Sequence, residues 1–247
     1  MKLSENQLKR YSKHLLLDNF GLQKQSILLN SRVLIIGVGG LGSAAAFYLA
    51  SSGVGTIGLV DADMVSLSNL QRQIIHSSTD LKKLKVESAK EKLLNLNPDL
   101  KIIPYPVFFN KKNCANLVND FNFIIDATDN FETKFLINST CVSLKKAFSH
   151  AGVAEFSGQT MTIIPGKSAC YQCVFQELPK TGKAQPDTGV LATVPGIIGL
   201  IQATEAIKYL TGTGKLLTNK LLTFDALTSS FRKIDVKRIS SCKICVS

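Results

Sequence analysis

One short stretch limits the folds open to this chain more than any other. Arg32-Val33-Leu34-Ile35-Ile36 is an unbroken apolar run of the kind buried on both faces of a parallel sheet. It passes directly into Gly37-Val38-Gly39-Gly40-Leu41-Gly42, then into the small-residue helix Ser43–Ala50. A second run, Thr56-Ile57-Gly58-Leu59-Val60, ends on Asp61. Strand, glycine turn, helix, strand is βαβ grammar, and it predicts a parallel sheet with right-handed crossovers. Glycines at 37, 39, 40 and 42 let the chain turn tightly and let a phosphate approach the helix N-terminus, where unpaired N–H groups and the dipole favour negative charge. Asp61 is placed to accept hydrogen bonds from ribose hydroxyls.

The rest of the chain extends this pattern. Residues 5–18 read as an amphipathic helix and 22–30 as a second short one. Helices are predicted over about 81–96, 111–120, 131–144 and 196–210, with strands at 101–105 and 121–125. Beyond residue 146 short strands follow one another, at 147–150 and 159–164, and the segments 221–225 and 230–236 suggest a hairpin. The segment 176–189 holds two prolines and two glycines and reads as a polar, mobile loop. The expected division is one domain over 1–247: N-terminal helices (1–30), a nucleotide-binding core (31–145), and a second half (146–247). No apolar run approaches the length of a membrane span, and the polar start of the chain lacks the apolar core of a signal peptide, so a cytoplasmic protein is expected. The net charge of +11 suits polyanionic ligands, but the lysines are scattered and form no nucleic-acid-binding arm.

The glycine turn and Asp61 would serve NAD as well as ATP. The remaining polar residues separate the two. Asn69, Arg72 and Lys85 supply hydrogen-bonding and cationic groups, and Asp126 and Asp129, after another strand, supply carboxylates suited to magnesium. Cations with an acidic magnesium site neutralise charge during attack at phosphorus; hydride transfer has no use for them. Cys170-x-x-Cys173 and Cys242-x-x-Cys245 match a closed, structural four-thiolate zinc site. Cys114 and Cys141, on predicted helices, read as packing residues, and His14, His76 and His150 form no catalytic triad.

Taken in order, the motifs Arg10-Tyr11-Ser12-Lys13-His14, Gly37–Gly42, Val60-Asp61-Ala62-Asp63, Leu67–Gln73, Lys85–Ala89, Asp126–Asn130 and the two cysteine pairs resemble the ThiF/MoeB (HesA/MoeB/ThiF) branch of the ubiquitin-activating-enzyme superfamily, over about residues 4–245. The resemblance implies a Rossmann-like α/β fold, mostly parallel with helices on both faces, a C-terminal mixed or antiparallel extension and a homodimer. It implies ATP, Mg²⁺ and Zn²⁺, and adenylylation of the C-terminal glycine carboxylate of a small β-grasp, ubiquitin-like sulfur carrier (ThiS- or MoaD-like) with a Gly-Gly tail. A sulfur donor such as a cysteine desulfurase would then act, in thiamine or molybdopterin synthesis. By the same resemblance Gly39 and Gly40 lie at the nucleotide, Asp61 holds the ribose, Asn69, Arg72 and Lys85 face the phosphates, Asp129 serves magnesium, and Lys13 is the basic residue lent to the partner subunit's site. Asp63, Gly37 and Gly42 complete the expected nucleotide set.

The chain departs from that family at one position. A cysteine is common in the crossover loop, where this sequence has Gln185, and no thiol lies between Cys173 and Cys242. Adenylylation without covalent capture on the loop is expected. Three competing readings are an activating enzyme for a tRNA or peptide carboxylate, a zinc scaffold that binds nucleotide without turnover, and an NAD-linked oxidoreductase.

Overall fold

Along the first strand the side chains alternate between two buried layers: Val33 and Ile35 enter one, Leu34 and Ile36 the other. A strand buried on both faces needs helices above and below it, and the computed structural model, which describes residues 3–176 and 188–246, has them. Strands β1 (Arg32–Ile36), β2 (Thr56–Val60), β3 (Lys101–Tyr105), β4 (Phe123–Asp126) and β5 (Ala147–Ala154) are parallel. Strands β6 (Ser157–Ile163), β7 (Lys220–Asp225) and β8 (Ser230–Asp235) extend the same sheet in antiparallel fashion. The order is β3-β2-β1-β4-β5-β6-β7-β8. The fold is therefore a Rossmann-like α/β sheet, mostly parallel, with an antiparallel C-terminal extension.

The helices are α1 (Glu5–Arg10), α2 (Ser12–Leu15), α3 (Gly21–Leu29), α4 (Gly40–Ser51), α5 (Lys85–Leu96), α6 (Cys114–Asn119), α7 (Phe131–Ser143), α8 (Tyr171–Val174) and α9 (Thr193–Thr211). Helices α3, α4, α5 and α9 share a core with Val33, Ile35, Ile57 and Phe123. Helices α6 and α7 pack on the opposite face with Leu34, Ile36 and Ile124, and the four paired cysteines join that second core. No described helix is long and apolar enough to cross a membrane.

One expected helix is broken and two begin later than the sequence pattern put them. The predicted helix over 5–18 breaks at Tyr11, which is 2% exposed. Its ring fits against Gly53, and its hydroxyl accepts from Asn97 Nδ2 at 2.9 Å, so burial of one side chain overrides local helicity. Helix α5 begins at Lys85 instead of 81, because Lys82 turns the chain at φ +67° and Leu84 bridges to Met64, with Val65 N donating to Lys83 O at 2.8 Å. Helix α6 begins at Cys114, after a turn in which the Asn110 and Asn113 side chains bond the backbone.

Candidate nucleotide cleft and cysteine cluster

The chain runs outward from β1 to β2 and β3, then returns to place β4 on the other side of β1. Such a reversal opens a crevice at the strand C-termini. Gly37 turns the chain there with φ +96°, and a side chain on it would lie 2.6 Å from Ala127 O. A Cβ on Gly42 would come within 2.0 Å of Gly37 O. These two glycines let β1, β4 and α4 meet. Gly39 caps α4 with no side-chain partner, and the first turn of α4 carries no acid, so its N–H groups are open to an anion.

The crevice opens into a cleft of about 790 Å³. Gly37, Gly39, Gly40, Asp61, Asp63, Arg72, Lys85 and Asp129 all line it. Asp61 is oriented by two backbone donors, Val38 N to Oδ2 at 2.8 Å and Asp63 N to Oδ1 at 2.9 Å, and each oxygen keeps a further lone pair. The buried ammonium of Lys85 lies 2.9 Å from Asp63 and 4.0 Å from Asp61, so Asp63 acts on Lys85. Arg72 crosses beside Gly40 and donates to Ser68 O at 3.2 Å. Asp129 is exposed in the loop after β4.

Other expected site residues lie elsewhere. Gly42 packs behind the turn and does not line the cleft. Asn69 spends its Oδ1 on Ser66 N at 3.2 Å and stays outside the lining. Lys13 is exposed on α2, away from the cleft of its own chain. Gln185 lies outside the described residues.

Asp126 is not the second magnesium carboxylate expected from its place at a strand end. It is 1% exposed, and both oxygens are occupied. Lys134 Nζ lies 3.2 Å from each, His150 Nδ1 3.0 Å from Oδ2, and Thr128 Oγ1 2.7 Å from Oδ1. Burial alone would raise its pKa, but the Lys134 charge and the bonds from His150 and Thr128 overcome that and hold it at about 2. His150 is pushed down to about 4 by burial, against the pull of Asp126, and is neutral near pH 7.

The sequence reading missed several residues that line the cleft: Lys134, His150, Gln73 and, on the antiparallel half, Gln159 and Arg232. Gln73 is buried, with Oε1 lacking any partner. Its place beside Arg72 was the one available signal. For Lys134 and His150 there was none, because the pairing of Asp126 with His150 exists only in the β4–β5 register. His76 is structural: it is buried between Ser88 Oγ (2.9 Å) and Val38 O (3.1 Å), and burial lowers its pKa.

On the far face Cys170, Cys173, Cys242 and Cys245 converge, with all four sulfurs within 4.8 Å of one another. Three Sγ–Sγ separations are 3.8, 3.7 and 3.6 Å. A tetrahedral ion bonded to sulfur at about 2.3 Å sets its ligands about 3.8 Å apart. The four thiols therefore fit one metal ion with no coordination position left open. Cys114 and Cys141 are also buried.

A glycine turn at a sheet switch point, with an acid beside it and cations across from it, defines a class: Rossmann-like proteins that receive a nucleotide. The chain belongs to the ThiF family, whose model matches residues 11–244. The SAMP-activating enzyme E1 of Haloferax volcanii is 40% identical over 248 residues, covering 99% of this chain and 91% of that protein. The Zea mays protein named adenylyltransferase and sulfurtransferase MOCS3-1 is 39% identical over 246 residues, covering 98% of this chain and 53% of its own length. The chain thus spans about half the length of the MOCS3 relatives it matches. Among solved structures, Escherichia coli MccB with ATP superposes with a TM-score of 0.85 at 26% identity, covering 96% of this chain and 74% of that one.

Proposed function

We propose that this chain, an adenylyltransferase of the ThiF family, uses MgATP to adenylylate the C-terminal glycine carboxylate of a small β-grasp carrier, ThiS- or MoaD-like, for thiamine or molybdopterin synthesis. The observation that carries the reading is the convergence of the Gly37–Gly40 turn, Asp61, Arg72, Lys85 and Asp129 in one cleft that continues onto the antiparallel half of the sheet. The names of the relatives support the class of reaction.

In this reading Asp61 accepts from the ribose hydroxyls and the phosphates lie over the N-terminus of α4. Arg72 and Lys85 offset the charge that builds on the phosphate oxygens. Asp129, the open carboxylate, holds magnesium, which supplies further neutralisation. A carrier carboxylate oxygen forms the bond to the α-phosphorus, the α–β bridging bond breaks, and the electron pair leaves with pyrophosphate. The nucleophile is ionised at neutral pH, so no general base is needed. Lys13 completes the site of the other subunit in a homodimer. The four-cysteine cluster holds a structural zinc ion. Residues 31–145 bind nucleotide and 146–247 receive the carrier, with 1–30 as the N-terminal helical arm.

All six cysteines are buried, and the segment outside the described residues contains none. The acyl-adenylate therefore passes directly to a sulfur nucleophile outside residues 1–247, such as the persulfide of a cysteine desulfurase, which attacks the acyl carbon and displaces AMP.

Carrier-dependent ATP–pyrophosphate exchange tests the reading. The wild type is expected to exchange, and Asp129→Ala to lose exchange while keeping its zinc. Absence of exchange with every Gly-Gly-tailed carrier defeats it.

A further inference from the structure

His150 is 1% exposed, yet it lines the cleft. Its Nδ1 lies 3.0 Å from an ionised Asp126 and so donates to it. Burial keeps the ring neutral, which leaves Nε2 as a bare lone pair. Among the described residues no group donates to that atom. Buried acceptors nearly always have a partner, so an orphan one in a cleft wall points to a ligand.

The surroundings limit which ligand. Gly152 and Gln159, which also line the cleft, flank the acceptor: a Cβ on Gly152 would lie 4.0 Å from His150 Nε2 and 3.5 Å from Gln159 Nε2. Tyr171 and Phe175, with ring centroids 4.5 and 5.5 Å away, pack against the imidazole. Strand β5 lies three strands from β2, whose end carries Asp61. At about 4.8 Å per strand, the two are roughly 14 Å apart. A nucleotide with its ribose on Asp61 and its phosphates over the glycine turn has its base on the β3 side, away from His150. What reaches Nε2 comes along β5 to β7, and an extended peptide brings main-chain N–H groups.

We propose that His150 is a substrate-binding residue whose Nε2 accepts the N–H of the final glycine of the incoming protein tail, with Asp126 and Lys134 as positioning residues that hold the ring in the accepting tautomer. This rests on the carrier reading above.

The test is ATP–pyrophosphate exchange by the full chain, with carriers whose last peptide link is either an amide or an ester lacking that N–H. One neutral hydrogen bond corresponds to about a three- to tenfold change. His150→Phe is expected to raise the carrier KM by that factor and to leave the ATP KM unchanged. His150→Gln, which keeps an acceptor near the Nε2 position, retains most of the wild-type value. The ester carrier loses a similar factor with the wild type and nothing further with His150→Phe. An unchanged carrier KM in His150→Phe, or an equal ester penalty in both proteins, overturns the proposal. If His150→Phe fails to fold, judged by zinc content and melting temperature, the ester comparison between wild type and His150→Gln decides: a penalty in both supports the contact, and no wild-type penalty overturns it. Wild-type exchange that is insensitive to the ester defeats the tail contact alone. Absence of exchange with any Gly-Gly carrier defeats the functional reading and this contact with it.

Discussion

Replacing Lys134 with methionine is expected to destabilise the protein by about 4 kcal/mol. The ammonium lies 3.2 Å from both oxygens of Asp126 and also donates to Ala151 O at 2.6 Å, with side chains 5% and 1% exposed. Methionine fills similar space but leaves a buried carboxylate with only His150 and Thr128 as partners. Removing one member of a buried ion pair costs about 3–5 kcal/mol. The pKa gives a consistent scale. Asp126 is held at about 2 against an ordinary 3.8, which at 1.36 kcal/mol per unit is about 2 kcal/mol net. That net figure already includes the opposing desolvation, so the partners together supply more. The contribution is present above the unfolded-state pKa and is lost as pH falls through about 2. With about 2.1 cal/mol/K of unfolding entropy per residue over 247 residues, 4 kcal/mol corresponds to a melting point lower by about 8 °C. Thermal and urea unfolding of the protein near neutral pH measure it. Adding Asp126→Asn to Lys134→Met removes the stranded charge and is expected to recover at least half of the loss. A single-variant loss under about 1 kcal/mol, or a double variant no better than the single, would refute the argument.

Gly42→Ala places a Cβ 2.0 Å from Gly37 O, so it is expected to lose about 1–3 kcal/mol or more and to weaken ATP binding; an unchanged melting point and calorimetric ATP affinity would contradict this. Elemental analysis is expected to find one zinc per chain, and Cys242→Ser to lose it along with thermal stability; a folded, zinc-free wild type would exclude a structural metal. His150 binds its proton at about 4 when folded and at 6.5 when unfolded, so the unfolded state takes up more protons between these values. Stability should therefore fall by about 3 kcal/mol from pH 6.5 to pH 4 on account of His150. Urea titrations across that range should show the component missing in His150→Gln, and parallel curves would disprove it.

The sequence by itself determined those features whose causes are local. The apolar runs 32–36 and 56–60, the glycine turn between them and the Asp61 that follows all came out where the pattern put them, and the hairpin expected at 221–225 and 230–236 came out at 220–225 and 230–235, because alternation, turn chemistry and chain connectivity act over a few residues. The two cysteine pairs could be matched by stoichiometry alone. Tertiary structure decided which groups are free to meet a ligand. Asp126 and Asp129 stand three residues apart after one strand, and nothing local distinguishes them. The inward turn of Asp126 onto Lys134 of α7 and His150 of β5 consumes one carboxylate, and the loop leaves the other open. Tyr11 likewise broke a predicted helix because Gly53 and Asn97, distant in sequence, offered its side chain a buried seat. Packing, register and desolvation are properties of residues far apart in the chain, so the buried lone pair on His150 could be seen only once the strands were paired.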